Sequence, residues 1–576
     1  MSLLDRLRAG GFGRGDFLAL CLPEPAGSGA VGCAWDGGEW ASATAGLAQL
    51  TEVESALRPR WVWWDSGTPH QLAAAGLRVA TCWDLTAAHR LLFGGWRAGP
   101  ATIWAALHDL GAESLPAVGQ LDLLGPGGDE GTDPDDPVRP DGHLRPEWAG
   151  GGWQRTPERL SRWAGLALAA RRLQERRLTE LEVPGDPLAT VRSESAAELL
   201  CAELFVDGLP IDLPRAEQLI GSFVGPRPAD AGEATSLRER RDAAVLRLVP
   251  GAEDTDLRNP AQVRALLARI GIDVPDTRST RLEHFRGAHP AVEALLSWRK
   301  SERIATTYGY DWLDRNVGPD GRLRGAWSGS DGAAGRMTAQ AGLHNLPADL
   351  RPAVAAGPGQ VFVRADLGQI EPRVLAAVSG DRALAAAAQD EDLYAPVASR
   401  LGVERAVAKI AVLAAMYGQT SGTAGAALRG LESAYPVAMR YLRDAHEAGR
   451  AGRNVRTYGG RLVRMWPTPA GLSVEAERSV AAARGRYARN AMVQGAAAEL
   501  FKVWAVTVRA RGAELNARVV LCLHDELLVH APASVAGEAE QLVRGCLAEA
   551  ARRWAPGSPV RFVADVSVVQ RWSEAK

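Results

Sequence analysis

The hydrophobic pattern changes along the chain and predicts several domains. Residues 1 to about 115 carry short apolar runs broken by Gly, Pro and Asp, a pattern typical of a mixed α/β fold. Residues 186 to 310 repeat apolar positions at helical spacing, and a turn at Asp207-Gly208 separates the first two predicted helices. The segment AVEALLSWRKSERIATTYGYDWL, residues 291–313, is predicted to form one long amphipathic helix. Gly, Pro and Asp dominate the stretch from about 125 to 152, so we expect a mobile loop there.

One stretch, Val361 to Ser379, joins a strand pattern to a helix pattern. Its apolar start leads to Asp366, and Glu371 follows five residues later, where helical periodicity begins. An acid at the end of a rigid strand can hold a metal ion, but the same acid can simply cap the next helix. Taken alone, the stretch favours the cap and leaves the metal ligand open.

A second acid follows from the pattern VVLCLHDELLVHA. Two apolar runs flank His524, Asp525 and Glu526, which predicts a tight β-hairpin with the acids at its tip. Nucleotidyl transfer uses two divalent ions about 3.5–4 Å apart. Two aspartates on adjacent strands, with backbone and phosphate oxygens, suit magnesium, which prefers oxygen ligands. Asp366 and Asp525 are therefore candidate metal ligands.

Another hairpin is predicted around Tyr458-Gly459-Gly460.

A predicted helix carries Arg405, Lys409, Leu413 and Tyr417 at a constant spacing of four, so these side chains form one stripe. Two cations, an apolar group and a phenol on one face make a poor core. They suit a nucleoside triphosphate, because the two cations can neutralise the phosphates while the apolar group and the phenol pack on the sugar and base. Lys409 is one of only four lysines in the chain.

The net charge of −2 argues against a nucleic-acid partner, but the charge is unevenly distributed. Between residues 450 and 490 there are nine arginines and two acids, and a phosphate backbone responds to local basic density. The stripe Arg486, Asn490 and Gln494 can donate hydrogen bonds to acceptors shared by all base pairs in a minor groove. A solvated arginine face and ordinary surface polar residues remain the alternatives.

Six cysteines lie far apart without a CxxC pair, which disfavours a structural zinc site or a disulfide framework and fits a reducing compartment. No apolar run approaches the roughly 20 residues of a membrane span. We therefore expect a cytoplasmic protein, which would be associated with the nucleoid if it binds DNA.

Several segments in order resemble family A DNA polymerases, the bacterial DNA polymerase I group. DLGQIEPR resembles their motif A, RAVAKIAVLAAMYG motif B and HDE motif C. GRMTAQAGLHNLP, RYARNAMVQGAAAEL and VADVSVVQRW also match family segments, so the resemblance covers about residues 186 to 576. It implies a DNA-templated DNA polymerase that acts on primer–template DNA and dNTPs with two Mg²⁺ ions, Mn²⁺ being an alternative. It also implies a monomer without a membrane partner.

The implied fold is multidomain, α/β and α+β. An RNase H-like exonuclease-type domain (1–185) would precede a right-hand polymerase. That polymerase would have a mostly helical thumb (186–325), a palm in two parts (326–400 and 486–576) and fingers (401–485).

The resemblance also implies residue roles. Asp366 and Asp525 would hold the metals, with Glu526 as a supporting carboxylate. Glu371, backed by Tyr417, would exclude a ribose 2′-hydroxyl. The triphosphate would meet Arg405 and Lys409, and Lys409 would also protonate the pyrophosphate. Contacts to primer–template DNA are implied for Arg336, Arg486, Asn490, Gln494 and His524.

The chain departs from the family in places. Leu413 replaces a Phe or Tyr of the nucleotide pocket, Tyr394 replaces a phosphate-binding histidine, and Cys522 opens the segment that contains HDE. The first predicted strand lacks the Asp-x-Glu of a 3′–5′ exonuclease, so we expect proofreading to be lost. The alternatives are a non-catalytic primer–template-binding protein and a 3′–5′ nuclease.

Overall fold

The computed structural model describes residues 1–23, 29–44, 46–96, 98–111, 135–418 and 424–575. The chain forms two compact units. The first contains residues 1–207, 326–339 and 363–568, and the second contains residues 208–325, 340–362 and 569–576. Within the described ranges, no helix has both the length and the apolar surface needed to cross a lipid bilayer. All six cysteines are buried free thiols.

The first unit begins with a five-stranded sheet in the order β3-β2-β1-β4-β5. Strands β1 to β3 pair antiparallel, whereas β4 and β5 run parallel to β1. The strands are β1 (Phe17–Cys21), β2 (Val31–Trp35), β3 (Gly38–Ser42), β4 (Arg60–Trp63) and β5 (Thr81–Asp84). The helices up to residue 207 are α1 (Leu3–Ala9), α2 (Gly46–Leu57), α3 (Gly67–Ala74), α4 (Leu85–Phe93), α5 (Pro100–Leu107), α6 (Pro146–Ala149), α7 (Pro157–Thr179) and α8 (Pro187–Asp207).

The expected mobile loop is described only in part, because residues 125–134 lie outside the described residues. Residues 135–152 contain helix α6 and a β-bridge between Val138 and Leu144. Trp148 of α6 is fully buried, with its ring 6.3 Å from that of Trp163. The loop prediction is therefore wrong for residues 135–152, since one buried tryptophan anchors a segment whose composition otherwise indicates disorder.

The second unit is mostly helical and has its own core, in which Val263, Leu267 and Leu295 are fully buried. Its helices are α9 (Leu213–Val224), α10 (Ala231–Leu246), α11 (Pro260–Arg269), α12 (Ser279–Leu282), α13 (Pro290–Thr307) and α14 (Tyr310–Asn316), and two short strands, β6 (Leu209–Pro210) and β7 (Arg322–Leu323), pair antiparallel. The predicted turn after Asp207 is confirmed, and Asp212 caps α9 by accepting a hydrogen bond from the N–H of Arg215.

Helices α13 and α14 correspond to a segment that the pattern predicts as one long helix. The break falls at Tyr308 and Gly309. The Tyr308 hydroxyl donates to the backbone oxygens of Gly342 and Asn345, at 3.1 and 2.7 Å. The one-helix prediction is wrong because the backbone leaves the helical conformation at Tyr308 and Gly309. The Tyr308 side chain meanwhile binds backbone oxygens 34 and 37 residues away.

The remaining elements belong to the first unit or run into it, and a four-stranded sheet in the order β13-β14-β10-β15 is central among them. The strands are β8 (Trp327–Asp331), β9 (Arg336–Ala339), β10 (Gln360–Gly368), β11 (Val455–Arg456), β12 (Leu462–Val463), β13 (Arg518–Leu523), β14 (Glu526–Pro532) and β15 (Val563–Val569). The helices are α15 (Ile370–Ser379), α16 (Arg382–Ala387), α17 (Tyr394–Leu401), α18 (Arg405–Tyr417), α19 (Ala424–Ala434), α20 (Pro436–Arg450), α21 (Val474–Gly512) and α22 (Ala536–Trp554).

Helix α21 packs on this sheet through Leu500, Phe501 and Trp504, which share one buried cluster with Val363 and Leu527. The expected strand-to-helix stretch is confirmed as β10 followed by α15. Both predicted hairpins are also confirmed, as the antiparallel pairs β11–β12 and β13–β14.

Candidate active site

The two candidate metal aspartates lie on adjacent strands. Asp366 is in β10, and Asp525 lies in the two-residue turn between β13 and β14. The backbone N–H of Leu367 donates to the backbone oxygen of Asp525 at 2.8 Å, which ties the two positions together. Gln369, not Asp366, occupies the N-cap position of helix α15, so the interpretation of Asp366 as a helix cap is wrong.

The two carboxyl groups oppose each other's ionisation. Burial raises the pKa of Asp366 to about 6, and the charge of Asp525 adds to this effect. Burial and the nearby Glu526 also raise the pKa of Asp525. Acids that disfavour one another's charge are an arrangement that a divalent cation relieves. No group of three or more His, Cys, Asp or Glu side chains in the described ranges forms a metal cage, so this pair would need oxygens from the backbone or a ligand.

Arg364 is a site residue that the sequence interpretation missed. Its guanidinium donates to Asp366 Oδ2 and to Glu526 Oε1, both at 2.8 Å, and lies 3.7 Å from Asp565 Oδ2. Arg364 and Asp366 are two residues apart on one strand, so both side chains project from the same face. That spacing is the signal in the sequence that could have identified Arg364.

Glu371, at the start of α15, is the meeting point of three elements. Its carboxylate accepts a hydrogen bond from the Tyr417 hydroxyl at 2.7 Å and one from Arg336 Nη2 at 3.0 Å. Burial, followed by the hydrogen bond to Glu371, raises the pKa of Tyr417 to about 12. The side chain of Gln494 lies beside the same hydroxyl and acts against this rise in the pKa of Tyr417. The ends of both predicted stripes, on α18 and α21, therefore converge on Glu371.

The remaining stripe residues on α18 differ in how they are engaged. Arg405 donates to Asp392 at 2.5 and 3.1 Å, and this hydrogen bonding lowers the pKa of Asp392. Lys409 is exposed, and no ion pair joins it to any residue that the structure describes. Leu413 is half-buried against the apolar cluster of α15–α20. Lys409 is thus the cation of the stripe that is available to a ligand.

Gln369 is a second site residue that the pattern did not indicate. Its backbone has φ +55°, a left-handed conformation that makes the turn from β10 to α15 abrupt. The side-chain amide donates to Asp392 at 2.8 Å, while its oxygen accepts from the N–H of Leu393 at 2.8 Å. Gln369 therefore couples the Asp366 strand to the residue that holds Arg405.

The predicted DNA contacts lie around this centre. Arg486 and His524 are exposed, and Asn490 and Gln494 are half-buried on α21. The Oδ1 of Asn490 is buried and has no hydrogen-bond partner among the described residues. An unused polar atom of this kind is suited to a ligand that brings its own donors.

Comparison with known proteins identifies the family. The sequence model described as DNA polymerase family A matches residues 249–574, more than half of the chain and all of the site residues above. The chain belongs to DNA polymerase family A. DNA polymerase I of Chloroflexus aurantiacus is 33% identical over 302 residues, which are 47% of this chain and 31% of the relative. The thermostable DNA polymerase I of Thermus filiformis is 30% identical over 413 residues, 65% of this chain and 47% of the relative.

The match thus spans less than half the length of each of these two relatives. A solved structure of the POL domain of Pol1 from M. smegmatis, in complex with DNA primer-template and dNTP, aligns with a TM-score of 0.70. It covers 100% of this chain and 98% of that chain at 22% identity, and this likeness shows the fold.

In this family A chain, the residues that depart from the family motifs are packed rather than exposed. Tyr394 is buried at the start of α17, where burial, with the charge of Glu371, raises its pKa to about 12. Cys522 is fully buried in β13, and burial raises the pKa of its thiol. These two substitutions sit inside elements, while Leu413 lies at the edge of a core.

Proposed function

We propose that this chain is a DNA-templated DNA polymerase that adds deoxynucleotides to a primer 3′ end, in replication or repair. The observation that carries the proposal is the pair Asp366 and Asp525, tied by a backbone hydrogen bond, beside the Glu371 centre where α18 and α21 converge. In the reaction, the primer 3′-oxygen bonds to the α-phosphorus of the dNTP while the bond to pyrophosphate breaks. The chain would act as a monomer on nucleoid DNA in the cytoplasm.

The donor set fits a divalent metal centre, because Asp366 and Asp525 offer oxygen ligands whose mutual repulsion a cation would relieve. Two Mg²⁺ ions, or Mn²⁺, would activate the primer hydroxyl and offset charge on the leaving pyrophosphate. Asp366 and Asp525 would hold them. Glu526, paired with Arg364, would support the charge balance.

The stripe on α18 would bind the incoming nucleotide. Lys409, exposed and unpaired within the described residues, would contact the phosphates and protonate the pyrophosphate, and Arg405 would assist from its ion pair with Asp392. Glu371, held by Tyr417 and Arg336, would exclude the ribose 2′-hydroxyl, and Leu413 would line the nucleotide pocket. Primer–template DNA would contact the group formed by Arg336, Arg486, Asn490, Gln494 and His524.

We further propose that residues 1–185 form an RNase H-like exonuclease-type domain without proofreading activity. The mixed sheet of three antiparallel and two parallel strands supports this fold, and β1, FLALC, carries no carboxylate. Asp84 is buried, accepts from the Trp63 indole at 2.9 Å and caps α4, which is a structural role. We expect no degradation of a labelled single strand in the presence of Mg²⁺.

The rest of the chain would form the polymerase. The thumb would occupy residues 186–325, the palm residues 326–400 and 486–576, and the fingers residues 401–485.

A primer extension assay tests the main proposal. Wild-type protein with a labelled primer, an overhanging template, dNTPs and Mg²⁺ should extend the primer to the template end. The double variant Asp366→Ala/Asp525→Ala should not. Absence of extension by wild type, or full extension by the double variant, contradicts the proposal.

A second candidate is a non-catalytic primer–template-binding protein. The ion pair between Arg364 and Asp366 favours it, since a guanidinium already occupies an oxygen of a proposed metal ligand. This candidate predicts DNA affinity unaffected by the two alanines and no incorporation of nucleotides by wild type. The extension assay, repeated beside a DNA-binding titration, separates the two.

A further inference from the structure

A cavity of about 150 Å³ in the first unit has neither Asp366 nor Asp525 in its lining. Its lining includes Tyr487, next to Arg486, and part of the turn that leads to Arg336, so it adjoins two of the proposed DNA contacts. It is formed by the loop after α4, the turn between β8 and β9, the β11–β12 hairpin and one residue of α21. Three guanidinium groups line it, those of Arg90, Arg461 and Arg464, together with the aromatic side chains of Trp96 and Tyr487. We call this set the arginine–aromatic site.

The loop that carries Trp96 is fixed on the hairpin. Arg464 Nε donates to the backbone oxygen of Phe93 at 2.5 Å, and Arg456 Nη2 donates to that of Leu92 at 3.0 Å. Gly94 has φ +66°, and a Cβ there would lie 2.7 Å from the backbone oxygen of Leu462. Only glycine allows this close approach. The hydrogen bonds from Arg464 and Arg456 therefore fix the backbone just before Trp96, whose indole is exposed.

The charge at the site is incompletely balanced. Arg90 pairs with Glu198 at 3.4 Å and Arg461 pairs with Glu194 at 2.5 Å. The Nε atoms of both arginines are buried without a hydrogen-bond partner among the described residues. Arg464 is exposed and forms no ion pair with a carboxylate that the structure describes. The site is therefore suited to an anion.

The electrostatic effect on a neighbour agrees with this charge balance. His89, on α4, is buried next to Arg90. Burial, followed by the charges of Arg464 and Arg90, lowers the pKa of His89 to about 4. Only the smaller part of this shift, which comes from the two arginines, reports positive charge at the cavity.

Aromatic surface is exposed beside the arginines. Trp96 is 62% exposed and Trp466 is 40% exposed, although large apolar side chains are usually buried. Trp466 contacts the Tyr487 ring edge-on, with centroids 5.1 Å apart. Arginines that neutralise phosphates, interleaved with flat rings that stack on bases, are the recognition chemistry of single-stranded nucleic acid.

We propose that the arginine–aromatic site binds unpaired DNA next to the primer–template junction, with a phosphate at Arg464 and a base stacked on Trp96. The inference rests on the proposed function only for the identity of the nucleic acid. Two sources offer this chemistry, the template overhang and an unpaired primer 3′ end. The substrates of the experiment distinguish them.

The experiment measures fluorescence anisotropy of three labelled DNAs without dNTP or divalent metal: a blunt duplex, the same duplex with a ten-nucleotide 5′ overhang, and the duplex with an unpaired 3′ end. Wild type should bind at least one single-stranded extension more tightly than the blunt duplex. Trp96→Ala and Arg464→Ala should each remove about fivefold or more of that gain, the scale of one lost stacking or phosphate contact. Binding of the blunt duplex should not change.

Trp96→Phe should keep most of the preference for DNA with a single-stranded extension over the blunt duplex, because the phenyl ring can still stack on a base. Arg511→Ala is the matched control: Arg511 is an exposed arginine near the far end of α21, and its removal should leave all three affinities unchanged. Equal losses for blunt and extended DNA overturn the proposal, as does an extension gain that survives both alanines. Because the readout uses no nucleotide, a failed extension assay does not affect it.

Discussion

At the level of single residues, Arg364 sets how much negative charge the acidic site presents. It hydrogen-bonds Asp366 and Glu526 and lies close to Asp565. A guanidinium and a divalent cation compete for the same carboxylate oxygens, so the affinity of the site for metal depends on this side chain.

Arg364→Ala should therefore bind Mn²⁺ more tightly, by about tenfold, since removing one nearby cation at partly buried acids is worth on the order of 1–2 kcal/mol. Electron paramagnetic resonance titration of the DNA-free protein measures the free Mn²⁺. Asp565→Ala serves as the control and should change affinity much less, because Asp565 is exposed and 3.7 Å from the guanidinium. Unchanged or weaker binding by Arg364→Ala contradicts the competition.

A second prediction at this scale concerns Glu371. The hydrogen bonds from Tyr417 and Arg336 hold the carboxylate in one position, where it would meet a ribose 2′-hydroxyl. Glu371→Ala should lower the preference for dNTP over rNTP by at least about tenfold, by opening the space beside the sugar. The ratio of the two kcat/KM values in single-nucleotide extension measures it. Tyr417→Phe, which keeps the ring but not the hydroxyl, should have a smaller effect, and an unaltered ratio in Glu371→Ala would refute the role.

At the level of elements, the junction between β10 and α15 connects the metal strand to the nucleotide helix. Its only left-handed residue is Gln369, whose side chain holds both Asp392 and the N–H of Leu393. The junction thus stores backbone strain that its hydrogen bonds offset.

Substitutions of Gln369 separate the cost of the left-handed backbone from the contribution of the side-chain hydrogen bonds. Gln369→Gly removes the side-chain hydrogen bonds and relieves the backbone, whereas Gln369→Ala removes the same bonds and keeps the strain. Gln369→Ala should be the less stable variant by about 1 kcal/mol in urea unfolding. Equal stability of the two variants would mean that the left-handed backbone is not strained.

Local pattern predicted the elements of the site, and the family resemblance paired Glu371 with Tyr417, but neither predicted the contacts of Gln369 and Arg336. The strand, the helix and the acid-tipped hairpin follow from periodicity within 20 residues, so β10, α15 and β13–β14 were predictable. The partner of Gln369 is 23 residues away, and Arg336 and Tyr417 reach Glu371 from 35 and 46 residues away. Pairs so far apart in the sequence leave no periodic signal. The pair Arg364 and Asp366 is different, because two residues two positions apart on one strand project from the same face.

Across the whole first unit, a buried group of charges joins distant parts of the chain. Glu194 of α8 pairs with Arg461 at 2.5 Å and with Lys502 of α21 at 2.6 Å, and all three side chains are almost fully buried. Next to them, Glu499 accepts hydrogen bonds from Thr457 and from the N–H of Gly459. Removing one member of such a group is costly, because it leaves an unpaired charge in the interior.

This group makes stability depend on pH through Glu499. Burial raises the pKa of Glu499 to about 7, above the 4.5 of an exposed glutamate. The folded state therefore holds a proton that the unfolded state has released, and the contribution present below pH 4.5 is lost as pH rises through about 7. Glu499→Gln cannot ionise, so wild type should lose stability relative to this variant between pH 5 and 8. Urea unfolding at four pH values measures the difference, and parallel profiles would exclude Glu499 as the titrating group.

The hydrogen bond from Leu367 N–H to the Asp525 backbone oxygen has a practical consequence for trapping complexes. The main chain, not the acidic side chains, holds the two strands in register at this point. Asp366→Asn or Asp525→Asn would therefore alter charge while the scaffold keeps its shape. Structures of these inactive variants with a bound substrate should therefore show the substrate in the position that it takes in the wild-type protein.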